Sequence, residues 1–89
     1  MNNAIAEVEA TLRQILQDHG KLSVPTLKIG TADDLYALGL SSLATVSLML
    51  AIEASFDLEI PDEMLTRDNF RTLTALGALV HRLRGGASS

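Results

Sequence analysis

Three stretches repeat apolar residues at three- and four-residue intervals, and nowhere do apolar and polar residues alternate over the length of a strand. The first is Ile5, Val8, Leu12, Ile15 and Leu16; the second lies within residues 43–56; the third is Leu73, Leu76, Leu79, Val80 and Leu83. Such spacing puts one stripe on each of three helices, and stripes of that kind bury themselves against one another. An all-α bundle is therefore predicted. With 89 residues there is room for one small domain, which buries only roughly 60–65% of its unfolded surface.

The boundaries follow from local chemistry. A first helix is expected over residues 3–19, terminated by Gly20. Residues 21–41 form a long connection, too long to be wholly irregular in a compact domain. Within it Thr31-Ala-Asp-Asp34 has the form of a capping box, and a short helical turn should end at Gly39. The second long helix is expected over 42–56. Ile60-Pro61-Asp62-Glu63 then opens a brief helix, with proline in its first turn and acids at its amino end. Phe70 should anchor the following turn, and Thr72 should cap the last helix. The result is three long helices and one short one, a four-helix bundle over residues 1–84 with a flexible tail at 85–89.

Several functions are excluded by what is missing. The chain has no cysteine and only His19 and His81, far apart in sequence, so no metal centre is expected. Residues 29–66 hold seven acids and no lysine or arginine, a composition that repels nucleic acid. No apolar run approaches the roughly 20 residues of a membrane span, and the amino-terminal residues do not form a signal peptide. A cytoplasmic, monomeric protein that engages neither nucleic acid nor membrane is expected.

The second helix has an unusual outer side. Thr45, Leu48, Met49, Ile52 and Phe56 share one face, with Val46 at its border, and that face is assigned to the core. Opposite lie the small side chains Ala44, Ser47, Ala51 and Ala54, flanked by Leu43 and Leu50, with Glu53 the only charge inside the helix. An exposed helix normally turns charge to water, so this face points either to complete burial, hard to reach in an 89-residue bundle, or to a docking surface, the reading adopted. Met64 and Leu65 are placed to extend this surface, with core packing the alternative for both and the reading adopted for Leu65.

At the head of that helix stands Gly39-Leu40-Ser41-Ser42-Leu43. One serine suffices as an N-cap. If Ser41 caps, Ser42 occupies the first helical position, beside unsatisfied amides and the positive end of the helix dipole, a position suited to an attached phosphate. It does not suit a hydrolase nucleophile: G-x-S-x-G lacks its second glycine here, and no histidine is close in sequence. Asp33 and Asp34 are assigned to capping and solvation, and Tyr36 to packing with its hydroxyl in water, with the alternative that it lines the region near the attached group.

The motif "GLSSL" with "TVSLMLAIEASFDLEIPDE" resembles the G-x-D-S-L signature of acyl carrier proteins and the Phe-Asp-x-x-Ile-Pro-Asp segment that closes their second helix. The resemblance covers about residues 5–84. It implies an acyl-carrier-like bundle in which the serine before the leucine, Ser42, receives a 4′-phosphopantetheine arm from coenzyme A through a phosphopantetheinyl transferase. The arm's thiol would carry the cargo, and the chain itself would catalyse nothing. Two departures stand out: Ser41 replaces the usual aspartate, and Ala44 and Ser47 stand where fatty-acid carriers display acids, which weakens the fit to enzymes that read an acidic helix with basic patches. The longer stretch "DLYALGLSSLATVSLMLAIEASFDLEIPDEML" is similar to that of small stand-alone aminoacyl carrier proteins. These are loaded with a small amino acid, such as glycine or alanine, by amino acid:[carrier protein] ligases related to class II aminoacyl-tRNA synthetases. A partner surface of Leu40, Ser41, Leu43, Ala44, Ser47, Leu50, Ala51 and Met64 is then expected around Ser42. The alternatives are an acyl carrier of a fatty-acid, polyketide or peptide-synthase pathway, and an unmodified helical interaction module in which both serines merely cap.

Overall fold

The computed structural model describes residues 3–88, with side chains over 6–84. Its regular elements are all helical: α1 (Asn3–Ile15), α2 (Ser42–Phe56) and α3 (Leu73–Ser88), joined by longer segments that carry 3-10 turns, with no strand among the described residues. α1 packs against both α2 and α3. The core they enclose includes Leu12, Leu16, Leu48, Ile52, Leu76 and Val80, all almost fully excluded from water. Phe70 is buried among them, as its anchoring role requires.

The first helix ends differently from its expected form. After Ile15 the backbone widens into a π segment, Leu16–Gly20, and the left-handed residue that stops it is Lys21, with φ 53°. A π turn takes in one more residue than an α turn, which moves the cap one position beyond Gly20. Gly20 instead sits buried against Leu16, where a Cβ would lie 3.2 Å from Leu16 Cδ2.

The connection from 21 to 41 is held down along its length. A 3-10 turn, Thr26–Lys28, sits under the Arg13 guanidinium, which donates to the carbonyl of Thr26 and, at 2.7 Å, to that of Ile29. Ser23 donates through its amide and its hydroxyl to the Leu38 carbonyl, at 3.0 and 2.9 Å. The Thr31 carbonyl accepts from Thr74, and the Leu35 amide donates to the Arg71 carbonyl at 2.7 Å, so the segment is stitched to the head of α3. Asp34 takes the capping role expected of Thr31, its Oδ1 accepting from the amides of Tyr36 and Ala37 at 2.9 and 3.3 Å. That turn does end at Gly39, whose φ of +113° few other residues tolerate.

The brief helix expected after Pro61 is a single 3-10 turn, Asp62–Met64, followed by a second, Asp68–Phe70. The backbone leaves helical dihedrals at Leu65 (ψ 64°), and the Asn69 side chain holds the intervening bend by donating to the Met64 carbonyl at 2.8 Å. Thr72 caps α3, its Oγ1 accepting from the Ala75 amide at 3.0 Å. The helical backbone continues through 85–88, where side chains lie outside the described residues, as does the flexibility expected of the tail at 85–89. No helix of the described residues is long and apolar enough to cross a membrane.

Candidate functional site

The two serines at the head of α2 occupy distinct positions. Ser41 has extended dihedrals (φ −91°, ψ 168°), and its Oγ accepts from the Ala44 amide at 3.0 Å. Its carbonyl accepts from both the amide and the hydroxyl of Thr45, at 2.9 and 2.8 Å. Ser41 is therefore the N-cap. Ser42 is the first residue of α2 and is exposed, at the end of the helix where backbone amides lack intrahelical partners.

Ser42 also lines a cleft of about 310 Å³ between α2 and the segment 65–70. Thr45, Val46 and Met49 form the α2 wall, Leu65 and Phe70 lie across from it, and Tyr36 and Arg67 complete the lining. The guanidinium of Arg67 lies over the Tyr36 ring, 3.9 Å from its centroid. Tyr36 thus packs beneath a cation while also facing the cleft. An exposed serine at a helix amino end and a cation on the same cleft make a chemically suitable seat for a phosphodiester.

The structure rotates the expected partner surface. Ala44 is only 7% exposed and Leu40 only 5%, so both belong to the core and neither can present a contact. Ala51 and Met64 are half-buried against the same core. Ser41, Leu43, Ser47 and Leu50 remain outside. Val46 and Leu65, assigned to the border and the core, are instead exposed at 51% and 41%. The cause is the choice of buried row on α2, which is Ala44–Leu48–Ile52, a strict four-residue repeat beginning with a small side chain. Alanine's size made it look like part of an approachable outer face, when it sits inward. The signal available in the sequence was the parallel row Leu43, Val46, Leu50, whose spacing also fits one helix face.

The face so formed carries little charge. The carboxylate of Glu53, the lone charge of α2, is turned to accept from the Ile60 amide at 2.9 Å, where it holds the Phe56-to-Ile60 bend. Asp57 there takes left-handed dihedrals, φ 52°, and ends the helix.

The all-helical fold and the family model together define the class of this chain. Residues 9–80 match the family described as "Phosphopantetheine attachment site", and the chain belongs to that family, whose members bear a covalent 4′-phosphopantetheine. Within it the chain is similar to the aminoacyl carrier protein of Agrobacterium fabrum (strain C58), at 44% identity over 79 residues, 89% of this chain and 95% of the relative. It is also similar to a carrier protein from Agrobacterium tumefaciens seen in complex with an engineered Bradyrhizobium japonicum glycine:[carrier protein] ligase and ATP. There the TM-score is 0.82 at 45% identity, covering 85% of this chain and 99% of the other. The corresponding complex with AMP gives a TM-score of 0.79 at 47% identity, covering 81% and 96%.

Proposed function

We propose that this chain is an aminoacyl carrier protein, bearing its arm on Ser42 and loaded with a small amino acid such as glycine or alanine by an amino acid:[carrier protein] ligase. The observation that carries the attachment site is the division of labour at the head of α2: Ser41 Oγ is committed to the Ala44 amide, while Ser42 is exposed on the adjoining cleft. A phosphopantetheinyl transferase would supply the group from coenzyme A, and the bound arm would offer a thiol on which the amino acid is held as a thioester. The chain's own part is to present that group and to be recognised, with no catalytic role. The Asp62–Met64 turn takes the place of the short fourth helix in the carrier bundle, and a cytoplasmic monomer suits this task.

The aminoacyl cargo is supported by the similarity to the carrier held by the glycine ligase. It is also supported by α2 itself, whose one carboxylate is tied to the Ile60 amide, leaving no acidic row for the basic patches of fatty-acid enzymes. The recognition surface is then Leu43, Ser47 and Leu50 beside Ser41, with Val46 and Leu65 at the cleft.

The test is co-expression with a promiscuous transferase, followed by incubation with ATP, single amino acids and a glycine-type ligase, read by intact mass. Expected is one phosphopantetheine increment that is lost in Ser42→Ala, then a further increment matching glycine or alanine. A fatty or polyketide chain extracted instead of an aminoacyl group would overturn the cargo, and an increment persisting in Ser42→Ala would overturn the site.

A further inference from the structure

Arg67 is the first base after an acidic stretch, residues 29–66, that contains none, and it lies on the same cleft as Ser42. Its neighbour Arg71 is occupied by carboxylates, with Asp68 at 3.1 Å and Asp34 at 3.7 Å, whereas none of the ion pairs among the described residues uses Arg67. Arg67 is instead positioned by an aromatic platform, its guanidinium stacked 3.9 Å above the Tyr36 ring. Stacking fixes the plane of a guanidinium while leaving its N–H donors directed outward, the arrangement that suits a two-pronged contact to a phosphate. Tyr36 is itself held: its amide donates to Asp34 Oδ1 at 2.9 Å, and its carbonyl accepts from Gly39 in the turn that leads into the two serines.

We infer that Arg67, aimed by Tyr36, is a positioning residue that pairs with the phosphodiester at Ser42 and fixes the direction in which the arm leaves α2. The inference rests on the proposal that Ser42 bears the arm. The acidic stretch would otherwise repel an added negative charge, and Arg67 is the group on the cleft that offsets it. The contact is exposed to water, so it restrains the root of the arm without locking it.

The test compares apo and holo forms of the full chain as wild type, Arg67→Lys and Arg67→Gln. Intact mass and peptide mapping first establish the arm on Ser42 in each. Expected next is a displacement of the Arg67 side-chain Nε–Hε resonance when wild type is converted from apo to holo, and a change in the phosphodiester phosphorus resonance in Arg67→Gln. Modification should also raise thermal stability more in wild type than in Arg67→Gln, by no more than about fivefold in the folding equilibrium, the range of an exposed ion pair. Arg67→Lys should retain part of that difference. An unmoved Arg67 resonance, with Arg67→Gln lowering apo and holo stability equally, would show that stacking on Tyr36 is merely structural and would overturn the inference while leaving the carrier function intact. Absence of the arm from Ser42 would remove both.

Discussion

Exchanging the two serines for alanine one at a time separates holding the helix from bearing the arm. The bond removed in Ser41→Ala is a side-chain acceptor 3.0 Å from the Ala44 amide, within the normal range for N–H···O. Ser41 is exposed, so water can reach the orphaned amide, and the loss should fall near the middle of the N-cap range, at about 1 kcal/mol. In a domain of this size that corresponds to a fall in Tm of about 4–8 °C. Ser42→Ala removes an exposed hydroxyl that makes no cap bond, and its effect should stay within about 0.5 kcal/mol. Modification should show the opposite pattern, with Ser41→Ala still accepting the arm and Ser42→Ala refusing it. Ser41→Asp should restore the Tm, because aspartate caps as well and its charge favours the helix amino end. The assays are thermal unfolding by circular dichroism and intact mass after incubation with transferase and coenzyme A. Equal Tm losses in the two alanine variants, or a larger loss in Ser42→Ala, would refute the division of roles.

Arg13→Ala should destabilise the chain by about 2 kcal/mol, because a charged donor to the Thr26 and Ile29 carbonyls is lost, and it should speed amide hydrogen exchange at Lys28 and Ile29 in particular. Unchanged exchange there would show that the connection is held by other contacts. Gly77→Ala should stabilise by about 0.5–1 kcal/mol, since a Cβ at that point in α3 meets nothing within 4 Å and alanine is the better helix former, and chemical denaturation will read the gain. Leu50→Glu places a charge on an exposed apolar position, and kcat/KM for loading by the ligase should drop at least about tenfold while Tm changes little; normal loading would exclude Leu50 from the contact.

The span of α2 was legible because a pair of capping serines precedes a long apolar run that breaks after Phe56, whereas the left-handed Asp57 that ends it carried no signal of its own. The cap at Thr72 and the turn at Gly39 were legible for the same reason. The rotation of α2 was not. A helix apolar on nearly every side has no strong preferred face, so its neighbours decide which row is buried, and they chose Ala44, Leu48 and Ile52. The π segment and the left-handed Lys21 were hidden too, since a widened turn has no composition of its own and Gly20 offered a more obvious stop. Of the site, Ser42 could be singled out from its two-serine context. Arg67 could not, because its place on the cleft depends on the bend after Met64, which brings together residues 25 positions apart in sequence.

The inward turn of Glu53 also bears on kinetics. That carboxylate keeps its charge but is held at the Ile60 amide, so the field a partner meets comes from the chain's net charge of −4 and not from an acidic row on α2. Encounter with a basic partner should then slow as ionic strength rises, because overall charge is screened, while the lifetime of the complex at this weakly charged face should change little. Selectivity among competing enzymes would therefore be expressed in how long each one stays, through the fit around Leu43 and Leu50, and not in how quickly each one arrives.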